Sequence, residues 1–211
     1  LTTPSGTGFI DNFPSGNSLA DQLKMVARLI RGRTELGVKR QVFLVSLSGF
    51  DLHDNLVSLH PGLLDKVSSA MTAFYNATVE MGVADKVTAF TGSDFGRTLA
   101  SNGDGSDHGW GGHHFVVGAA VNGQRFYGTA PPVSVGSTSA LADQWHVGQG
   151  RLLPTTSVDQ YAATLARWFG VDDSEMANVV PNIANYPAAG GFDLAWSGGT
   201  LNYPRYIDFL P

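Results

Sequence analysis

Residues 93–115, SDFGRTLASNGDGSDHGWGGHHF, gather three aspartates, three histidines, one arginine and six glycines between two apolar runs. A second polar stretch, GFDLHDN at 49–55, adds Asp51, His53, Asp54 and Asn55. Carboxylates and imidazoles together suit a divalent cation such as Zn²⁺ or Mn²⁺, whereas carboxylates alone suit Mg²⁺ or Ca²⁺ better. Such an ion would offset the mutual repulsion of Asp51, Asp94 and Asp107. Arg97 could do the same without a metal, or could clamp a substrate oxyanion in a bidentate grip. Five of the six histidines, His53, His60, His108, His113 and His114, lie in or beside these two stretches.

Several neighbours read more simply. Asp54 and Asn55 read as caps of the turn before Pro61, and Asp104 in NGDGSD as a turn residue. His60 precedes a proline and either joins the cluster or points to solvent. His113 and His114 begin a strand and so face opposite ways, leaving one at most to reach a site. His146 is isolated and reads as structural, Trp110 as a packed aromatic or a pocket wall. The Asn76 sequon lies mid-helix and carries little weight. No Gly-x-Ser-x-Gly elbow is present, nor a phosphate-binding loop, nor a strand–G-x-G-x-x-G–helix unit, which removes those classes of enzyme.

These side chains need elements to position them. Ser18 and Asp21 mark a helix start, with Leu19, Leu23, Val26, Ala27 and Ile30 at helical spacing up to Gly37. QVFLVSL (41–47) is a short apolar run that predicts a strand buried on both faces. Pro61 opens a second helix, with Leu63, Leu64, Val67, Ala70, Met71, Phe74 and Ala77 inward and Gly82 at its close. KVTAFTG (86–92) and HFVVGAAV (114–121) predict two further strands. TTSVDQYAATLARWFGV (155–171) predicts a capped helix with Val158, Tyr161, Leu165 and Trp168 inward, and a shorter helix follows at about 173–179. This alternation predicts an α/β domain with a mainly parallel sheet. In such sheets binding groups collect beyond the carboxyl ends of the strands, where 49–55 and 93–97 both fall. Side by side, those ends would bring Asp51, His53 and Asp94 into one crevice.

Composition bounds the rest. The 211 residues carry 43 % hydrophobic and 15 % charged side chains, a globular balance with one domain over 1–211 as the default. The net charge of −5 makes no general case for nucleic acid. Without cysteine there are no disulfides and no thiolate metal sites. No apolar run reaches the ~20 residues of a membrane span. The chain begins at Leu1, not Met, which leads us to expect either a cleaved precursor or part of a longer protein.

The ordered motifs FDLHDN, SDFGRTLASNGDGSDHGWGGHHFVVGAAVNGQRFYG, LPTTSVDQYAATLARWFGV and PNI are similar to those of family 1501 of the domains of unknown function. The resemblance is to its carboxyl-terminal half and runs from about residue 18 to 185, with 186–211 as a local extension. These bacterial proteins are usually exported by the twin-arginine route and are related to alkaline phosphatases and sulfatases. The resemblance implies an alkaline-phosphatase-like α/β fold, here as a partial domain, in a periplasmic or secreted protein. It implies one or two divalent metals (Zn, Mn or Ca) on Asp51, His53, Asp94 and His108, with Asp107 beside the last. Superfamily enzymes often carry histidine directly after the aspartate matched by Asp94, where this chain has Phe95. The superfamily nucleophile matches no residue here and is expected upstream, in an amino-terminal segment of the same gene product. The implied activity is hydrolysis of phosphate or sulfate esters, small or on a glycan; Arg97 has no fixed counterpart in the family, and its expected role of binding the anion comes from its guanidinium chemistry. The alternative is a noncatalytic exported binding or assembly protein in which any metal is structural.

Overall fold

A computed structural model describes residues 12–196 and 199–211. In chain order the elements are α1 (Ser18–Arg31), α2 (Leu56–Glu80), β1 (Ala89–Phe90), β2 (Gly96–Ser101), β3 (Ser106–Gly109), β4 (Val116–Val117), α3 (Val158–Phe169), α4 (Met176–Val179), β5 (Phe192–Trp196) and β6 (Gly199–Tyr203). The backbone divides into two compact units whose chain segments alternate. The first holds residues up to Thr91 together with Gly103–Gly105 and Phe115–Ala120; the second holds Gly92–Asn102, Ser106–His114 and Val121–Pro211. No helix among the described residues is long and apolar enough to cross a membrane.

In the first unit α1 buries Leu19, Leu23, Val26, Ala27 and Ile30 in one core with Ala70, Phe74, Ala77 and Val83. This is the stripe that its spacing predicts, although the helix stops at Arg31, one turn and more before Gly37. Its cap differs too. Ser18 is already helical, and Asn17 is the N-cap, its Oδ1 accepting from the backbone N–H groups of Leu19 and Ala20 at 3.2 and 3.3 Å. Asn17 wins the position because its amide Nδ2 also donates to the Lys66 carbonyl at 2.8 Å, tying α1 to α2 while the side chain is buried. Asn17→Ala is therefore expected to lower unfolding free energy by about 1–2 kcal/mol in a urea titration, the upper part of the N-cap range.

The second helix begins at Leu56 rather than Pro61, which lies inside it. The proline interrupts one hydrogen bond in the second turn without ending the helix. Residues 41–47 were expected to be buried on both faces. Instead their exposure alternates: Phe43, Val45 and Leu47 pack on the core, while Val42 is 77 % and Leu44 96 % exposed. Gln22 grips this segment as a ladder partner would, donating to the Ser46 carbonyl at 2.8 Å and accepting its N–H at 3.0 Å. Of the other two expected strands, only Ala89–Phe90 and Val116–Val117 pair, antiparallel. The paired strands among the described residues form three two-stranded antiparallel ladders.

In the second unit the glycine-rich stretch, expected to be loop, contains the β2–β3 hairpin. Thr98 and Ser106 are its buried hydroxyls, 3.3 Å apart, and the register slips between Arg97 and Ser101. Gly96 is needed there, because a Cβ would collide with the Gly111 carbonyl. α3 starts at a Ser157–Gln160 capping box, as its sequence predicts. Its buried face, however, is Gln160, Ala163 and Thr164; Val158 is 75 % exposed, and Tyr161, Leu165 and Trp168 are half-buried. Small and polar side chains go inward because Gln160 bonds the Pro204 carbonyl and Thr164 Oγ1 accepts the Ile207 N–H. Ala163 meets Met176, Val180 and Ile183 to close this core.

Candidate metal centre

The first unit supplies Asp51 and His53, on the loop that leaves residues 41–47. His53 Nε2 lies 3.0 Å from Asp51 Oδ1, and both side chains are open to solvent, at 45 % and 63 %. Two exposed ligand types on one short loop are thus already in contact. The loop is held from outside. Asn55 N donates to an Asp104 carboxylate oxygen at 3.0 Å and Leu56 N to the Asp104 carbonyl at 3.2 Å. These are the donors a helix start leaves unpaired, and a carboxylate there also meets the favourable end of the helix dipole. Asp104, expected to serve its own turn, therefore caps α2. Asn55, expected to cap, makes no side-chain cap bond and sits at φ 55°. Next to Asp104, Gly105 lies so close that a Cβ would collide with the His53 carbonyl. His60 turns from solvent to meet the Phe50 ring edge-on at 5.9 Å.

The second unit supplies the remaining expected residues. Asp94 is exposed at a bend just before β2. Arg97 pairs with His108 across the hairpin, its Nη1 donating to the Ser106 carbonyl. Its guanidinium also sits 5.1 Å over the Phe95 ring. Phe95 stacks flat on the His108 imidazole, 4.0 Å between centroids and 4° between planes. Asp107 accepts from Asn102 Nδ2 at 3.1 Å, and the His108 carbonyl accepts from Arg151 Nε at 3.2 Å. His108 itself is exposed. No close group of three ligating side chains among the described residues contains Asp94 or Asp107.

Residues 13–183 match a family model described as "Protein of unknown function (DUF1501)". The chain belongs to this family. The DUF1501 match contains Asp51, His53, Asp94, Arg97, Asp107 and His108 and both capped helices, α1 and α3; residues 186–211 lie beyond it. No curated protein and no solved structure matches the chain.

The other histidines of the DUF1501 chain part company. His113 and His114 both remain open to solvent, and His114, partly covered, stacks on Tyr161 at 5.7 Å. Burial, and then the charge of neighbouring His113, holds the His114 imidazole below its usual range. Burial pushes the Tyr161 phenol up to about 12. Neither histidine lies in a paired strand, since β4 begins only at Val116. Trp110 is 62 % exposed. The residues that the sequence reading undervalued are Asp104 and Gly105. Their one signal was the NGDGSD spacing, where glycines flank Asp104 on both sides and let the backbone come close to a neighbour.

Proposed function

We propose that this DUF1501 chain binds a divalent cation through Asp51 and His53, with His108 as the third ligand, and serves the hydrolysis of phosphate or sulfate esters. The observation that carries the reading is the 3.0 Å Asp51–His53 pair, exposed on a loop fixed by Asp104 and Gly105. The third ligand, His108, is the one that the family resemblance implies. A carboxylate with two imidazoles favours Zn²⁺ or Mn²⁺ over Ca²⁺. A bound ion would supply charge stabilisation at the ester oxygens. Arg97 takes the anion-binding role in this reading, because a planar guanidinium suits a bidentate grip on a phosphate or sulfate oxyanion. Asp94 and Asp107, which the resemblance also implies, stand outside the ligand set of this reading. With it go the mainly parallel α/β architecture, a periplasmic or secreted location, and a nucleophile supplied by another segment of the same gene product.

The Phe95–His108 stack favours a second reading. An aromatic ring lying flat on a ligand fixes its orientation but brings no further ligand, which suits a structural ion in a noncatalytic binding protein. Calorimetric titration of chelator-treated protein with Zn²⁺, Mn²⁺ and Ca²⁺, followed by a screen of aryl phosphates and aryl sulfates, separates the two. Tight binding of one ion with ester turnover supports the first reading. Tight binding with a raised melting temperature and no turnover supports the second. A chain that takes up none of the three ions sinks both.

A further inference from the structure

The segment from Ser134 to Leu152, in the second unit, is organised by two side chains that no part of the metal reading uses. Asp143 accepts from Ser134 Oγ, from Thr138 Oγ1 and from Thr138 N at 3.0 Å. This folds 134–138 back over the short helical turn Leu141–Trp145. His146 then spans two loops. Its Nε2 accepts the Gly150 N–H at 2.6 Å, and its Nδ1 lies 2.5 Å from the Gly136 carbonyl. The partners fix the tautomer: an amide N–H can only donate, so Nε2 is bare, and a carbonyl can only accept, so Nδ1 carries the hydrogen. The imidazole is neutral in this arrangement.

Gly150 is also the residue by which this segment holds the hairpin. Its carbonyl accepts from Leu99 N at 3.1 Å, and the Gln149 carbonyl accepts from Ala100 N at 3.3 Å. The turn is an unusual one, with Gly148, Gln149 and Gly150 all at positive φ. Gln149 pays a conformational cost there that needs outside support. A proton on Nε2 would set two N–H groups against each other at 2.6 Å, and one bond of the turn must then break.

We propose that His146 is a pH-sensitive latch: neutral, it holds the 148–150 turn against β2; protonated, it releases that turn. The Asp143 carboxylate interacts with it electrostatically, and just past the turn the Arg151 guanidinium donates from Nη1 to the Gly148 carbonyl. The β2 residues in contact, Leu99 and Ala100, are uncharged. Asp143 titrates in a separate window. Hydrogen bonds from Ser134 and then Thr138, with a smaller contribution from His146, hold its carboxyl below the ordinary 3.8. Its stabilising contribution is therefore present above that value and is lost only as pH falls through the lower folded value.

The test is amide hydrogen exchange of the full chain between pH 8 and 5, with EDTA present so that no metal competes for other histidines. Once corrected for intrinsic rates, Gly150, Leu99 and Ala100 are expected to lose protection together, by up to about tenfold per pH unit below the transition. His146→Gln keeps a donor and an acceptor without titrating, and is expected to remove the step. Protection of Gly150 that is flat with pH, or an unchanged step in H146Q, overturns the latch. Should H146Q not fold, imidazole ¹⁵N shifts of the wild-type chain decide: an Nδ1–H tautomer at pH 8 is expected, and an Nε2–H tautomer overturns the proposal.

Discussion

Alanine at His53 is expected to weaken Zn²⁺ binding at least about a hundredfold, while the urea midpoint of the metal-free chain stays nearly unchanged. The first half follows from ligand chemistry. Loss of an outer-shell partner alone costs metal sites about 10–100-fold, and His53 supplies one of three ligand atoms in the proposed set. The second half follows from exposure. The His53–Asp51 contact is open to solvent on both sides, and exposed pairs contribute about 0–1 kcal/mol. Asp51→Ala and His108→Ala should behave likewise, whereas Asp94→Ala and Asp107→Ala should lose far less affinity. Affinity should also fall as pH is lowered, because imidazole nitrogens bind protons and metal competitively. Equal losses for all five variants would show that general surface charge, and not a three-ligand site, holds the ion. A His53→Ala chain that binds Zn²⁺ as the wild type does would remove His53 from the site altogether.

The positions of Asp51 and His53 were legible because an apolar run followed by a short polar turn places side chains at the end of an extended segment, and the structure puts them in contact there. The helices were legible for the same kind of reason. α1 and α3 have strong polar-to-apolar contrast around the helix, and α3 carries a complete capping box. Boundaries were less so. Asn17 and Ser18 are both good caps, and the choice depends on Lys66, 49 residues away. The β2–β3 hairpin was hidden because its buried residues, Thr98 and Ser106, are polar and its glycines mimic a loop. Such a strand pair has no apolar alternation to read; it is held by hydroxyls and by the Arg97–Ser106 bond. Asp104 was misjudged because its partners, Asn55 and Leu56, are distant in sequence. Local spacing cannot reveal a cap supplied from elsewhere in the chain.

That distant cap makes Gly105 the position whose substitution should do most damage without touching any proposed ligand. Gly105→Ala places a Cβ into the His53 carbonyl. The obstacle is backbone, which cannot swing aside as the end of a long side chain can, so the 103–105 turn itself must move. Moving it stretches both Asp104 contacts, the carboxylate to Asn55 N and the carbonyl to Leu56 N. Overpacking of this kind costs about 1–3 kcal/mol, and the uncapped helix start adds about 1 kcal/mol. The expected result is a melting temperature lower by several degrees, with Zn²⁺ affinity reduced as well, since the carbonyl displaced belongs to His53. Gly62→Ala is the matched control in the same unit. That glycine lies inside α2 with nothing within 4 Å of an added Cβ, so the same methyl should raise stability by up to about 1 kcal/mol. Opposite signs for the two substitutions would support the clasp of 103–105 on the Asp51–His53 loop. A Gly105→Ala chain as stable as the wild type would show that the turn does not press on His53, and the fixed loop behind the proposed metal site would lose its physical basis.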